Sequence, residues 1–206
     1  MNIHHITRKT ILATVAAMAI PAAAFAAPAL TGSSTAPHTT SITTTSASCP
    51  RGWGSLPEVN SRVRSPLSAA PTTVTNVRTG QHACFDRLVI DLAHGATGYD
   101  VRYVSSVRED GSGRLVPLRG GARLQIVVRA PSYNINTGKT TYAPKNSKEL
   151  TNVNGYRTFR QVAFAGSFEG QTTLGLGVRA RLPFRVLTLA GPGSGSRLVI
   201  DVAHHW

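Results

Sequence analysis

The chain has 206 residues, with 22 Lys and Arg against 9 Asp and Glu and a formal net charge of +13. In a cytoplasmic protein that balance points to nucleic acid; in an exported one wall phosphodiester polymers, anionic headgroups and peptide carboxylates are the polyanions at hand, and arginines spread along strands equally suit a solvated surface with no polyanion partner. The two cysteines, Cys49 and Cys84, read as one disulfide in an exported chain, and no cysteine-enzyme signature accompanies either thiol.

Arg8 and Lys9 precede an apolar, Ala-rich run, and Pro21 leads into Ala24-Phe25-Ala26, an A-x-A cleavage site. Residues 1–26 therefore read as a secretory signal peptide. The alternative is an uncleaved anchor, because residues 11–30 are uncharged and about long enough to span a bilayer; two prolines and the weak apolarity of Ala count against it. With the signal removed, no stable membrane span is expected. Residues 27–48 turn to Thr, Ser, Ala and Pro without an Asp, Glu, Lys or Arg. Such a segment buries too little apolar surface to order itself and reads as a linker.

Residues 49–206 are enough for one domain with its own core. A bridge between Cys49 and Cys84 would close a loop of about 36 residues, for which chain entropy gives roughly 3–4 kcal/mol. It would pin the turn-rich segment around Trp53 to a strand starting at Phe85. Residues 61–71 read as a loop. Thr73-Val74-Thr75-Asn76-Val77-Arg78 alternates and ends at Thr79-Gly80, so it reads as a strand and turn.

Arg87-Leu88-Val89-Ile90-Asp91-Leu92-Ala93-His94 follows, and almost the same words return as Arg197-Leu198-Val199-Ile200-Asp201-Val202-Ala203-His204. Alternation puts Leu88, Ile90 and Leu92 on one face and Arg87, Val89 and Asp91 on the other. If the copies are antiparallel neighbours centred on Val89 and Val199, Arg87 faces Asp201 and Asp91 faces Arg197, whereas parallel pairing sets like charges opposite each other.

Strands are expected next at Tyr99-Asp100-Val101-Arg102-Tyr103-Val104, at Arg114-Leu115-Val116-Pro117-Leu118 after the Glu109-Asp110-Gly111-Ser112-Gly113 turn, and over residues 122–129. Short strands with regular glycine turns are the pattern of an all-β sandwich or barrel. Residues 131–154 break the rhythm as one long polar loop, in which Tyr133 and Tyr142 serve as packing anchors in preference to ligand contacts. In residues 172–181, Leu174, Leu176, Val178 and Ala180 share a face, opposite Thr173, Gly175, Gly177, Arg179 and Arg181. The two glycines leave a shelf for a flat ligand or another backbone, or mark a bulge at a sheet corner.

No G-x-S-x-G elbow, H-E-x-x-H or paired metal-ligand motif is present, so catalytic residues, metal and cofactor are all read as none. Asp91 and Asp201 stand mid-strand with an Arg four residues earlier on the same face, which suits ion pairing better than acid–base work. The binding reading uses Arg157, Arg160, Arg179 and Arg181 as donors to carboxylate or phosphate, Glu169 and Gln171 as partners for sugar or amide groups, and Phe168 as a platform.

The 73–78 and 87–92 strands, with Pro183-Phe184-Arg185-Val186-Leu187-Thr188-Leu189 leading into 197–202, resemble the AMIN domain. The whole 49–206 span looks more closely like the AMIN-like domain of secreted actinobacterial proteins. It includes Gly166-Ser167-Phe168-Glu169-Gly170-Gln171-Thr172-Thr173 and Arg179-Ala180-Arg181-Leu182-Pro183-Phe184. The resemblance implies an all-β sandwich of two related antiparallel sheets, here with a long polar insertion loop, and places each octapeptide in its own sheet. It also implies a non-catalytic module that binds peptidoglycan or an anionic wall glycopolymer outside the cell. A secreted envelope protein docking on a sheet edge is the alternative partner; nucleic acid is not expected.

Overall fold

Alternating apolar residues in short runs, broken by glycine turns, give a chain built of strands. The computed structural model describes residues 49–62 and 70–206, in which eleven strands and no helix occur. The expected signal peptide and linker, and most of the loop expected over 61–71, lie outside the described residues. The strands are β1 (Glu58–Asn60), β2 (Thr73–Gln81), β3 (Phe85–Ala93), β4 (Tyr99–Val104), β5 (Val107–Arg108), β6 (Leu115–Val116), β7 (Ala122–Val128), β8 (Phe159–Phe168), β9 (Gln171–Val178), β10 (Phe184–Ala190) and β11 (Ser196–Ala203). Two antiparallel sheets face each other, one ordered β10-β11-β3-β2 and the other β1-β4-β7-β9-β8, with β5-β6 a separate ribbon. The protein is thus an all-β sandwich.

The core is the sum of the alternating faces. Leu88, Ile90 and Leu92 of β3 and Leu198, Ile200 and Val202 of β11 meet Val101, Leu124, Ile126, Leu174, Leu176 and Val178 from the opposite sheet. Each buried Leu or Ile contributes about 1.5–3 kcal/mol by leaving water. Val74 and Val77 of β2 both enter this core although they are three apart, because the register shifts between Val74 and Asn76. One extra residue turns the second valine back inward.

The two octapeptides are neighbours in one sheet. β3 and β11 run antiparallel with Val89 opposite Val199, Arg87 opposite Asp201 and Asp91 opposite Arg197. The expectation that each copy belongs to its own sheet is therefore wrong. The charge-complementary register that the sequence allows is the one formed, since it offers opposite charges across the strands at both ends. The two ends are not equivalent in their ion pairs. Arg87 donates to both carboxylate oxygens of Asp201 at 2.6 and 2.8 Å, and Arg185 from β10 adds a bond of 2.9 Å. At the other end Asp91 takes Arg78 from β2, and Arg197 turns to the Ala190 carbonyl instead.

Gly177 faces the chain's own backbone, and Gly175 faces the side chains of Leu118 and Val107. A Cβ on Gly177 would lie 2.0 Å from the Arg119 carbonyl oxygen, and one on Gly175 would lie 2.8 Å from Leu118. Of the readings left open for this shelf, close backbone approach is the one realised at Gly177, while at Gly175 side chains fill the space. The 131–154 loop is also held down. Leu150 N–H donates to Val162 O at 2.8 Å and Phe164 N–H to Ser147 O at 2.7 Å, which covers the outer edge of β8. Tyr142 packs edge-on against Phe164, its ring 6.1 Å away.

Cys49 and Cys84 are bonded, with Cα atoms 5.3 Å apart. The leading segment then crosses between sheets. Phe184 N–H donates to Gly54 O at 2.8 Å, β1 pairs with β4, and Val186 N–H donates to a Glu58 carboxylate oxygen at 3.1 Å. One short stretch thus ties the β10 edge of one sheet to the β4 edge of the other.

Candidate functional site

The expected site residues lie on or beside the β8–β9 hairpin, whose length separates them. Phe159 pairs with Val178 at one end and Phe168 with Gln171 at the other. Those ends are roughly 25–30 Å apart at about 3.3 Å per residue. Phe168, Glu169 and Gln171 therefore form one group and Arg157, Arg160, Arg179 and Arg181 another. At the turn, Glu169 (φ 47°) and Gly170 (φ 80°) have the paired positive φ of a tight hairpin, and the Phe168 ring lies against Gly111.

At the opposite end most of the guanidinium groups are engaged by the chain. Arg160 donates to the carbonyls of Tyr156 (3.0 Å) and Phe159 (2.8 Å), closing its own turn. Arg179 donates to the His204 carbonyl. Arg181 donates to Ser55 Oγ and O at 3.2 and 3.0 Å and lies over the Tyr103 ring. Arg157 stands exposed on the rim of a small pocket shared with His82, Asp86 and His204. These residues supply positive charge to this end of the sandwich, but three of the four are first of all staples.

A cleft adjoins them. A groove of about 800 Å³ runs along residues 149–156, walled by Arg119, Tyr156 and Arg160. Its shape comes from a relay of polar bonds. Arg119 holds Glu149 through both oxygens, donates to Arg160 O at 2.8 Å, and its N–H meets Gln161 Oε1 at 2.8 Å. Gln161 in turn donates to Lys148 O at 2.9 Å. The Glu149 bond raises the Arg119 pKa, so that guanidinium stays charged. Asn152 Oδ1 accepts the Asn154 N–H at 3.0 Å, and the Tyr156 hydroxyl donates to Thr79 Oγ1 at 3.2 Å. The groove offers fixed amide, hydroxyl, guanidinium and carboxylate groups to a polar ligand.

Behind this end lies Asp86, fully buried, which the sequence reading passed over. One oxygen accepts the N–H groups of Thr158 and Phe159 at 2.6 and 3.0 Å, and the other meets His204 Nε2 at 3.1 Å. It fastens β3 to the start of β8 and the end of β11. The available signal was an acid directly ahead of the first repeat, where the second copy carries Ser196. The residues of the groove loop, Asn152 and Asn154 among them, have no periodicity to mark them. Among the described residues no three His, Cys, Asp or Glu side chains gather as a metal site.

Two antiparallel sheets with an open polar groove at a basic end define a β-sandwich that presents donors and acceptors on a preformed surface. The AMIN-like domain family model matches residues 72–204, and the chain belongs to that family. Comparison with curated proteins finds no match. The matched span holds β2 to β11 and the groove, and leaves the Cys49–Trp53 segment, β1 and the last two residues outside it.

Proposed function

We propose that this protein is a secreted, non-catalytic binding module of the cell envelope that associates with peptidoglycan or an anionic wall glycopolymer. The observation that carries the reading is the groove along residues 149–156, which sets Asn152, Asn154, Glu149 and Arg119 on a rigid wall at a basic end. Amides and a carboxylate suit the hydroxyl and acetamido groups of a glycan, and the guanidinium suits the carboxylates of a stem peptide or a bridging phosphate. Family membership, the excess of Lys and Arg over Asp and Glu, and the disulfide support the same reading. Asn154 is exposed, so Asn154→Ala tests the groove without disturbing the core. The expected result is several-fold weaker retention on purified peptidoglycan with an unchanged melting temperature. Equal retention of Asn154→Ala and of Arg119→Met would remove the groove from the account.

One observation favours a second reading, capture of another envelope protein by strand addition. β2 is the outermost strand of its sheet, and although Val74 at its start already donates to Pro131 O and accepts from Thr141 Oγ1, among the described residues no further strand pairs beyond it. That reading predicts salt-tolerant capture of a protein and no retention on the wall polymer.

A further inference from the structure

The chain has two tryptophans, and both line one cleft that the groove does not include. Trp53 and Trp206 face a space of about 630 Å³ together with Pro50, Arg51, Pro183 and His205, and the Cys49–Cys84 bridge forms part of its wall. The volume lies within the roughly 300–1,000 Å³ of small-ligand sites. Trp206 is 73% exposed, an uncommon position for an indole, yet its ring is tethered by an Nε1–H bond to Arg181 O at 3.2 Å. Trp53 is set from behind, with the Arg185 guanidinium 4.3 Å from its ring centre and the Phe85 ring 5.6 Å away. Beside it Gly52 has φ +85°, and a Cβ there would meet nothing within 4 Å. The cleft is thus open and already shaped by a disulfide, a backbone turn and two held indoles.

We propose that this cleft is a glycan subsite that stacks one N-acetylated pyranose ring against Trp206 and Trp53. The chemistry of the lining selects that class. A pyranose has an apolar C–H face suited to an indole and a polar rim of hydroxyl and acetamido oxygens, for which Arg51 and His205 are donors. The lining contains no Asp or Glu, which disfavours a cationic ligand, and its polar content disfavours an acyl chain. Most of the cleft lies outside the 72–204 family match, because Pro50, Arg51, Trp53, His205 and Trp206 all flank it. The subsite is thus built mostly from residues that the family match does not span. It rests on the reading above only in placing the protein among wall polymers.

Because both tryptophans line the cleft, intrinsic fluorescence reports it directly. The disulfide-bonded protein is titrated with a soluble N-acetylglucosamine tetramer and, separately, with a glucose tetramer that lacks the acetamido groups. The account expects a saturable change in emission with the first, at least about fivefold weaker binding of the second, and little dependence on salt up to 0.3 M, since stacking is not screened as charge is. Trp206→Ala should lose at least tenfold in affinity, while Lys139→Ala, exposed and outside the lining of the cleft, leaves the titration unchanged. A flat titration with wild-type protein, or equal affinity in Trp206→Ala, overturns the subsite. A flat titration with retained sedimentation on peptidoglycan leaves the groove reading standing, and loss of both ends the two together. Equal binding of the two tetramers overturns the N-acetyl assignment.

Discussion

Asp201 is the most heavily loaded charge in the sandwich. Its side chain is completely buried, Arg87 grips both oxygens, and Arg185 adds a salt bridge at 2.8 Å. Each arginine is also packed: Arg87 lies 5.2 Å over the Phe85 ring and Arg185 lies 4.3 Å over Trp53. Asp201→Asn keeps the shape and removes the charge, which leaves two guanidinium groups facing each other. Removing one partner of a fully buried pair costs about 3–5 kcal/mol. Here the arginine side chains are 25% and 33% exposed and regain some water, so the expected loss falls below that range, at about 2–3 kcal/mol. Removing one arginine is less severe, because Asp201 keeps the other; Arg87→Met or Arg185→Met should each cost about 1–2 kcal/mol. Urea denaturation at pH 7 measures all three, and the loss in Asp201→Asn corresponds to a fall in Tm of roughly 4–12 °C for a domain of this size. If Asp201→Asn stays within about 0.5 kcal/mol of wild type, or costs less than either arginine variant, the ion-pair argument fails.

Burial raises the Glu58 carboxyl above its ordinary pKa, opposed by the Val186 N–H bond. The folded state then holds more protons than the unfolded state just above the usual carboxylate range, so this group's contribution to stability falls as pH rises through that window. Glu58→Gln keeps an acceptor for Val186, and its urea midpoint relative to wild type should be higher at pH 7 than at pH 4; the opposite trend refutes the desolvation argument. Gly177→Ala puts a Cβ into the Arg119 carbonyl and should cost about 3 kcal/mol or more, while Gly80→Ala, with nothing within 4 Å, should be neutral or stabilising by a few tenths. Similar melting curves for the two variants would contradict the close-approach reading. Cys49→Ser/Cys84→Ser should lose roughly 3–4 kcal/mol through the freed loop, and a loss under about 1 kcal/mol would show that β1 and Glu58 hold the leading segment without it.

The parts of this fold that obey a period were legible. Once the octapeptides are neighbours their register follows from alternating Arg, Val and Asp, because the antiparallel register centred on Val89 and Val199 sets unlike charges across the strands, but that they share one sheet is not written in their own pattern. The same alternation misleads in β2, where nothing local distinguishes Val74 and Val77 from residues on opposite faces; the bulge between them is set by packing across the sandwich. β1 was not expected, since a three-residue strand is held by two sheet edges and not by its own pattern. The site was less legible than the fold. Sequence shows that Arg160, Arg179 and Arg181 carry charge but not that carbonyl oxygens lie within their reach. It marks Gly175 and Gly177 as places of close approach without naming what approaches, which is residues 118–119. The groove loop and the tryptophan cleft come from segments distant in the chain, brought together by the sheets.

Sedimentation of the disulfide-bonded protein with purified peptidoglycan, stripped of attached wall polymers, tests the functional reading most directly. The account predicts saturable pelleting that persists, though weakened, at about 0.3 M salt, where the Debye length has fallen to roughly 6 Å and a purely electrostatic association is largely screened. Protein that stays in the supernatant at low salt, on both stripped and unstripped peptidoglycan, would contradict it.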